Sequence, residues 1–272
     1  MNIQIDTLAY TNRLRWLAPE QKLLFAIALL IITAFVHPPV QILIAVWMSI
    51  WTVVYAGIPA KIYVKLVYIA ALFWLTSLPA LVINGVDIPH LHLVQTDSVA
   101  GLTIGYYYVY ISSHGIEQGL TILTRAIASL SCLYFVMLTI PFVELLQTMS
   151  RVGFPVLLTD LLLLMYRFIF VLLNTASELW TAQQSRGGYR TFKIAMKSLS
   201  LLIGQLLKRT LENYRQVSLT LASRGFNGEF QVWHSHRYHL SKRYALEAIF
   251  GCAVLITLDI WQKSILGKAH YI

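Results

Sequence analysis

Charge is scarce in this chain. Only 12% of its 272 residues are Asp, Glu, Lys or Arg, about half the share usual in a soluble domain. That is too little to cover the surface of a soluble globule of this length, and a hydrophobic content of 57% excludes a disordered one. Cysteine is scarcer still. Cys132 and Cys252 are the only two, and both lie in apolar runs, which excludes a disulfide framework or a zinc-ligand spacing. The phosphate-cradling pattern G-x-x-x-x-G-K-[ST] is missing, because the one Gly-Lys pair, Gly267-Lys268, is followed by Ala269. No serine stands in a G-x-S-x-G frame and no catalytic set is visible. An integral membrane protein remains, in keeping with a mean hydropathy of +0.65.

Five apolar runs read as spans: Leu23 to Val36, Val40 to Ala56, Ile62 to Ile83, Gly119 to Ile140 and Tyr244 to Trp261. A bilayer core takes roughly 20 apolar helical residues, so the first run is short. His37-Pro38-Pro39 parts it from the second, and neither proline can continue a helix. A tight hairpin of two short or tilted helices follows, with a re-entrant pair as the alternative. Pro79 is expected to kink the third span. A sixth run, Val156 to Leu173, is as apolar as the others but carries Asp160 and Arg167 on one helix face. Two ionisable groups in one span are costly unless protein surrounds them.

Charge topology bears on that run. Residues 177–243 hold eleven basic side chains against Glu178, Glu212 and Glu229, a net of +8, whereas residues 84–118 hold no Lys or Arg at all. Basic loops stay in the cytoplasm, which puts 84–118 outside and 177–243 inside. The fourth span already brings the chain in, so a crossing at 156–173 would strand the basic segment outside. That run is therefore expected to stay on the cytoplasmic side, against protein or at the interface. The N-terminus falls inside and His270-Tyr271-Ile272 outside. No signal-peptide cleavage pattern follows the first basic residues.

Within the basic segment, Leu199, Leu202, Leu206, Leu207, Leu211, Tyr214, Val217 and Leu221 recur at helical spacing, the mark of a long amphipathic helix. Glu212 is expected to sit with Arg209 and Arg215 on its wet face. A triplet repeats: Ser185-Arg186-Gly187 and, 38 residues on, Ser223-Arg224-Gly225. Glycine past a helix end is a common left-handed cap, and arginine in the last turn suits the helix dipole. The same geometry presents an arginine fork at a helix tip, suited to two-point binding of a carboxylate on another protein. Two matched tips suggest two matched receptors.

The chain resembles a known family, the transmembrane T component of energy-coupling-factor (ECF) ABC transporters, most closely its cobalt-type CbiQ branch. The likeness runs through Ile5-Asp6, Ala9-Tyr10, Leu14-Arg15, Pro19 and Lys22-Leu23-Leu24. It continues in Gly115-Ile116, Gly119-Leu120, Thr139-Ile140-Pro141, Glu144-Leu145-Leu146, Gly153-Phe154-Pro155, Tyr166-Arg167-Phe168, Ala182-Gln183 and the two Arg-Gly triplets. The family often has alanine before the arginine; here both copies have serine.

The resemblance implies an all-α polytopic membrane protein with five transmembrane helices and a cytoplasmic helical coupling domain. Residues 1–140 would form a four-span membrane domain, 141–243 the coupling domain, and 244–272 the last span and an outside tail. Ser185, Arg186, Gly187, Ser223, Arg224 and Gly225 would dock into two ATP-binding cassette ATPase subunits. A separate substrate-binding membrane subunit would select the cargo, Co²⁺ or Ni²⁺ in the cobalt branch. As the ATPases close, the docked tips would move together. No cofactor, resident metal, catalytic residue or nucleic acid is implied. The location would be the plasma (inner) membrane of a prokaryote, with the N-terminus and coupling domain cytoplasmic.

Four other features stand out. His234, His236 and His239 have a spacing that binds Co²⁺, Ni²⁺ or Zn²⁺, but no Asp, Glu or Cys completes a shell close by, so a solvated linker is favoured. His90 and His92 get the same reading. Arg125, two turns into a span, fits a structural role better than an ion path. Tyr106-Tyr107-Tyr108-Val109-Tyr110 reads as an interfacial aromatic belt. The rival functions are a self-contained permease driven by an ion gradient and a membrane metalloenzyme using the three histidines.

Overall fold

The computed structural model describes residues 4–87, 98–104, 107–225, 238 and 241–269. The chain packs as two units, residues 1–142 with 236–272, and residues 143–235. In the first lie α1 (Gln4–Thr11), α2 (Pro19–Phe35), α3 (Pro38–Ile50, running into a π-helical turn, Trp51–Tyr55), α4 (Ala60–Val82), α5 (Ser113–Thr139) and α9 (Lys242–Ala269). It also holds three short strands, β1 (Ile83–Asp87), β2 (Ser98–Ile104) and β3 (Tyr107–Ser112). The second unit carries α6 (Phe142–Val152, whose first residue belongs to the first unit), α7 (Val156–Ser185) and α8 (Phe192–Ser223).

The expected hairpin forms at His37. Both prolines occupy the first positions of α3, where a missing N–H costs nothing and the fixed φ is already helical. Gln41, fully buried, then serves the last turn of α2. Its amide donates to the Val36 carbonyl at 2.8 Å and the Thr33 carbonyl at 3.3 Å, two groups left over by the helix end. Its own oxygen accepts from Thr124 Oγ1 of α5 at 2.8 Å. At the same end of the unit Asp259 of α9 accepts from the His37 backbone N–H at 3.2 Å and meets His37 Nδ1 at 2.9 Å.

Helix α5 is the one against which α1 to α4 pack. Its buried face alternates small and large side chains, Ala128, Ser131, Cys132, Phe135 and Leu138. Small residues let helices approach closely where lipid removes the hydrophobic drive. Gly115 shows why: a Cβ there would stand 2.6 Å from the Leu81 carbonyl oxygen of α4. Phe25, Trp51 and Phe135 form the aromatic centre, with ring centroids 4.9 to 6.2 Å apart. Buried hydroxyls are paired: Ser49 Oγ with Tyr63 Oη at 2.8 Å, and Tyr63 Oη with Ser131 Oγ at 3.0 Å.

The all-helical class holds, with one addition. The stretch read as a plain outside loop contains an antiparallel sheet in the order β1–β3–β2, Gly85 opposite Val109 and Gly101 opposite Tyr110. Part of the presumed aromatic belt lies in β3, where aromatic and β-branched residues suit a pleated surface. Among the described residues five helices are long and apolar enough to cross a bilayer, as expected in number, but the set differs. They are α3 with its π turn (Pro38–Tyr55), α4, α5, α7 (Leu157–Ser185) and α9 (Lys242–Lys263). At 17 residues α2 falls just short, while α7 qualifies because Asp160 and Arg167 are outweighed by the leucines around them. Pro79 lies inside α4.

Two helix glycines differ in purpose. A Cβ on Gly251 of α9 would collide with the Trp47 ring, whereas among the described residues nothing lies within 4 Å of one on Gly204 of α8. Gly251→Ala should therefore lower the thermal midpoint in detergent. Gly204→Ala should raise it, since alanine is favoured over glycine in a helix interior by about 1 kcal/mol. Equal effects of the two changes would contradict the packing described.

Candidate functional site

Both Arg-Gly triplets stand where long helices stop. Helix α7 ends at Ser185, Arg186 is its C-cap and Gly187 follows at φ +71°. Helix α8 ends at Ser223, Arg224 is its C-cap and Gly225 follows at φ +67°. Each glycine supplies the left-handed turn that a side-chain-bearing residue resists. Each serine bonds back into its own last turn, Ser185 Oγ to the Thr181 carbonyl at 2.9 Å and Ser223 Oγ to the Thr220 carbonyl at 2.8 Å. That leaves the arginines as the reaching groups, and both are exposed.

The first tip is a tight turn joining α7 to α8. The Gln183 carbonyl accepts the Arg186 N–H at 3.2 Å and the Gly188 N–H at 2.9 Å. The Gln183 side chain spans the turn: its oxygen accepts from Tyr189 Oη at 2.7 Å and its amide donates to the Ser198 carbonyl at 3.1 Å. Ser198 Oγ donates to the Gly188 carbonyl at 2.8 Å, and the Tyr189 ring stacks on Trp180 with centroids 4.1 Å apart. Of this set only Gln183 carried a signal in the sequence, and that was as part of the family likeness. Single polar residues 5 to 15 positions apart have no period to betray them.

The two tips sit at opposite ends of α8. This helix has 32 residues and so spans about 48 Å at ~1.5 Å per residue. Among the described residues much of its apolar stripe has no cover: Leu202 is buried, but Leu199, Leu207, Leu211 and Tyr214 are exposed, the last at 68%. Arg209, Glu212 and Arg215 are all exposed, as expected of the wet face. Arg209 reaches Glu178 of α7 at 3.4 Å, because the α7–α8 pairing brings that carboxylate alongside. Arg125 is exposed on α5. Among the described residues no group of three His, Cys, Asp or Glu could hold a metal ion. His90, His92, His234, His236 and His239 lie outside the described residues.

Two segments of the likeness, far apart in sequence, meet in the first unit. Lys22, 1% exposed, donates from Nζ to the Thr139 carbonyl at 3.2 Å, and Asn12 Nδ2 donates to the same oxygen at 3.2 Å. A family model described as cobalt transport protein, CbiQ, matches residues 11–233. This chain belongs to the CbiQ family. The cobalt transport protein CbiQ of Salmonella typhimurium is 30% identical over 232 residues, 84% of this chain and 99% of that protein. The CbiQ of Rhodobacter capsulatus is 28% identical over 229 residues, 84% and 86% of the two chains. A Methanocorpusculum labreanum protein named as a fused cobalt transport protein, CbiMQ, is 29% identical over 226 residues, 82% of this chain and 36% of its own length. As a CbiQ protein with five helices long and apolar enough to span, this is a multi-pass membrane component of a transport family.

The turn at the first tip depends on two glycines. A Cβ on Gly188 would stand 2.8 Å from Ser198 Oγ and 2.9 Å from the Gln183 carbonyl oxygen. Gly187→Ala would force a left-handed residue at a cost of roughly 1–2 kcal/mol. Both changes should speed amide exchange across residues 186–191. Unchanged protection in either variant would contradict this geometry.

Proposed function

We propose that this chain is the T component of an ECF-type ABC importer, a non-catalytic subunit that passes motion from two ATPases to a substrate-binding membrane subunit. The observation that carries the reading is the pair of exposed arginines, Arg186 and Arg224, at the two ends of one long helix. A guanidinium fork at a helix tip binds a carboxylate at two points. The pair fits two receptors of one kind. The uncovered apolar stripe of α8 supports a subunit whose surfaces are completed by partners. Cobalt or nickel as cargo rests on family membership, and a second membrane component is in keeping with the fused CbiMQ relative.

Packing and charge together support the orientation. Helix α5 ends at Thr139, beside Lys22, and the chain returns at Ser241, whose N–H meets Gln21 Oε1 at 3.4 Å. Departure and return at one end of the first unit require an even number of crossings between them. With its lysines, arginines and Glu212, α8 is not apolar enough to cross. This supports α7 as a helix that does not cross, with 141–243 as a cytoplasmic coupling domain between the membrane domain (1–140) and the last span (244–272). The excess of basic residues in 177–243 supports the same side.

The coupling is mechanical. Closure of the ATPase pair on ATP draws its two grooves together, and Arg186 and Arg224 follow. An intact helix does not shorten along its axis, and tilting does not bring its ends together, so α8 accommodates the approach by bending, and its apolar face carries the change to the membrane partner. Coupling of this kind needs an element with two arrangements that both ends bias.

The test is affinity capture of the tagged chain from native membranes in mild detergent, with mass spectrometry of what accompanies it. Two ATPase chains, or two copies of one, and a membrane protein are expected. Arg186→Ala or Arg224→Ala should each weaken ATPase recovery and the double change should abolish it. Full recovery with the double variant would overturn the docking role.

A further inference from the structure

The first arginine tip is more than a helix end with a glycine behind it. Arg186 hangs on a turn braced by several hydrogen bonds within its own unit. The Gln183 carbonyl takes two successive N–H groups of the turn, those of Arg186 and Gly188. The Gly188 carbonyl on the other side of that peptide is taken by Ser198 Oγ, from the second turn of α8. Ser198 is 8% exposed, so this hydroxyl is a brace set inside the turn. Gln183 closes the circuit with its side chain, one end on Tyr189 Oη and the other on the Ser198 carbonyl. Tyr189 is in turn laid flat on Trp180, one turn of α7 before Gln183.

We infer that Gln183, Tyr189 and Ser198 are positioning residues that hold Arg186 at one angle to α7 and α8, so that the tip meets its receptor already ordered. The inference rests on the docking reading above and deepens it. A long arginine on a loose loop would have to lose the freedom of both backbone and side chain on binding, which weakens association. A braced turn has lost the backbone share beforehand. The brace also welds the tip to two helices at once: a push on Arg186 is delivered to α7 through Gln183 and Trp180, and to α8 through Ser198. The turn can then carry force as well as grip. Gly188 fits this account, since any side chain there would enter the space Ser198 Oγ uses.

Two conservative changes remove the brace without touching Arg186. Tyr189→Phe keeps the ring stack and deletes the hydroxyl. Ser198→Ala deletes the other hydroxyl. Each hydrogen bond of this sort is worth about 3- to 10-fold in an equilibrium, so amides 186–191 should exchange roughly 3- to 10-fold faster in either variant. The full-length chain is then used to capture the ATPase subunits of its own complex. In an Arg224→Ala background, where docking leans on the first tip, either change should weaken capture by a further factor of about 3 to 10. In an Arg186→Ala background the same changes should have no effect, because the group they position is gone.

Unchanged exchange would overturn the brace. Faster exchange with capture unaltered in the Arg224→Ala background would overturn its role in docking. Equal losses in both backgrounds would do the same, by showing general damage to the unit. Full capture by the Arg186→Ala/Arg224→Ala variant would instead overturn the docking reading on which the inference stands, so the two failures are distinct.

Discussion

A helix that stops inside an apolar environment leaves carbonyl groups that lipid cannot satisfy. In this chain that constraint falls hardest on α5, the helix on which most of the first unit packs. Its last carbonyl region is followed by Ile140 and Pro141, and a proline has no N–H to offer. The Thr139 oxygen is met by two buried donors, Lys22 of α2 and Asn12 just past α1. A cation at a helix C-terminus also answers the local dipole. One carbonyl thus fixes where α1, α2 and α5 converge, and it does so at the point where the chain leaves the first unit for the second. The mirror solution stands at the other end, where Gln41 takes up the carbonyls at the end of α2 and holds α5 with its remaining oxygen.

These junctions explain what could be read from the residues and what could not. Runs of apolar side chains announce helices, and paired prolines announce a break, so the α2–α3 hairpin and the span count were legible. A glycine after a long apolar-periodic stretch announces a helix end, so the two Arg-Gly stops were legible as well. Which apolar helix crosses is a matter of parity across the whole chain: by length and hydropathy α7 ranks with the spans, and only the charge and packing argument of the proposal sets it apart. The β1–β3–β2 sheet went unread for another reason: its strands are short, β1 and β2 are interrupted by glycine, and absence of Lys and Arg tells of location rather than pairing. Gln183, Tyr189 and Ser198 could not be gathered by pattern, because their meeting depends on a turn that only the folded α7–α8 pair creates. Lys22 and Asn12 are similar. Nothing near them in sequence explains a buried amine; the reason sits more than a hundred positions away.

The two units meet different demands. The first is closed on itself, with its aromatic centre, paired hydroxyls and capped helix ends. The second is built to be completed by others: a helix with an apolar stripe that stays uncovered, and exposed arginines fixed at both ends of that helix. A surface of this kind would be a liability in a protein that worked alone. On the coupling role proposed above, it is where the work would be passed on.

That Arg224 caps α8 while Arg186 stands on the tight turn leading into the same helix has a geometric consequence. Their spacing comes in steps. One residue added within α8 moves the second tip away by about 1.5 Å and swings it by about 100° around the axis. Most changes of length would therefore leave Arg224 facing the wrong way even if the distance suited. Steps of seven or eleven residues, close to two and three turns, keep its bearing to within about 20°. The length of α8 would then act as a calibrated gauge: its residue count would record the separation and the relative orientation of the two receptors, and a chain serving a differently spaced pair would have to change by near-whole turns or rebuild the tip.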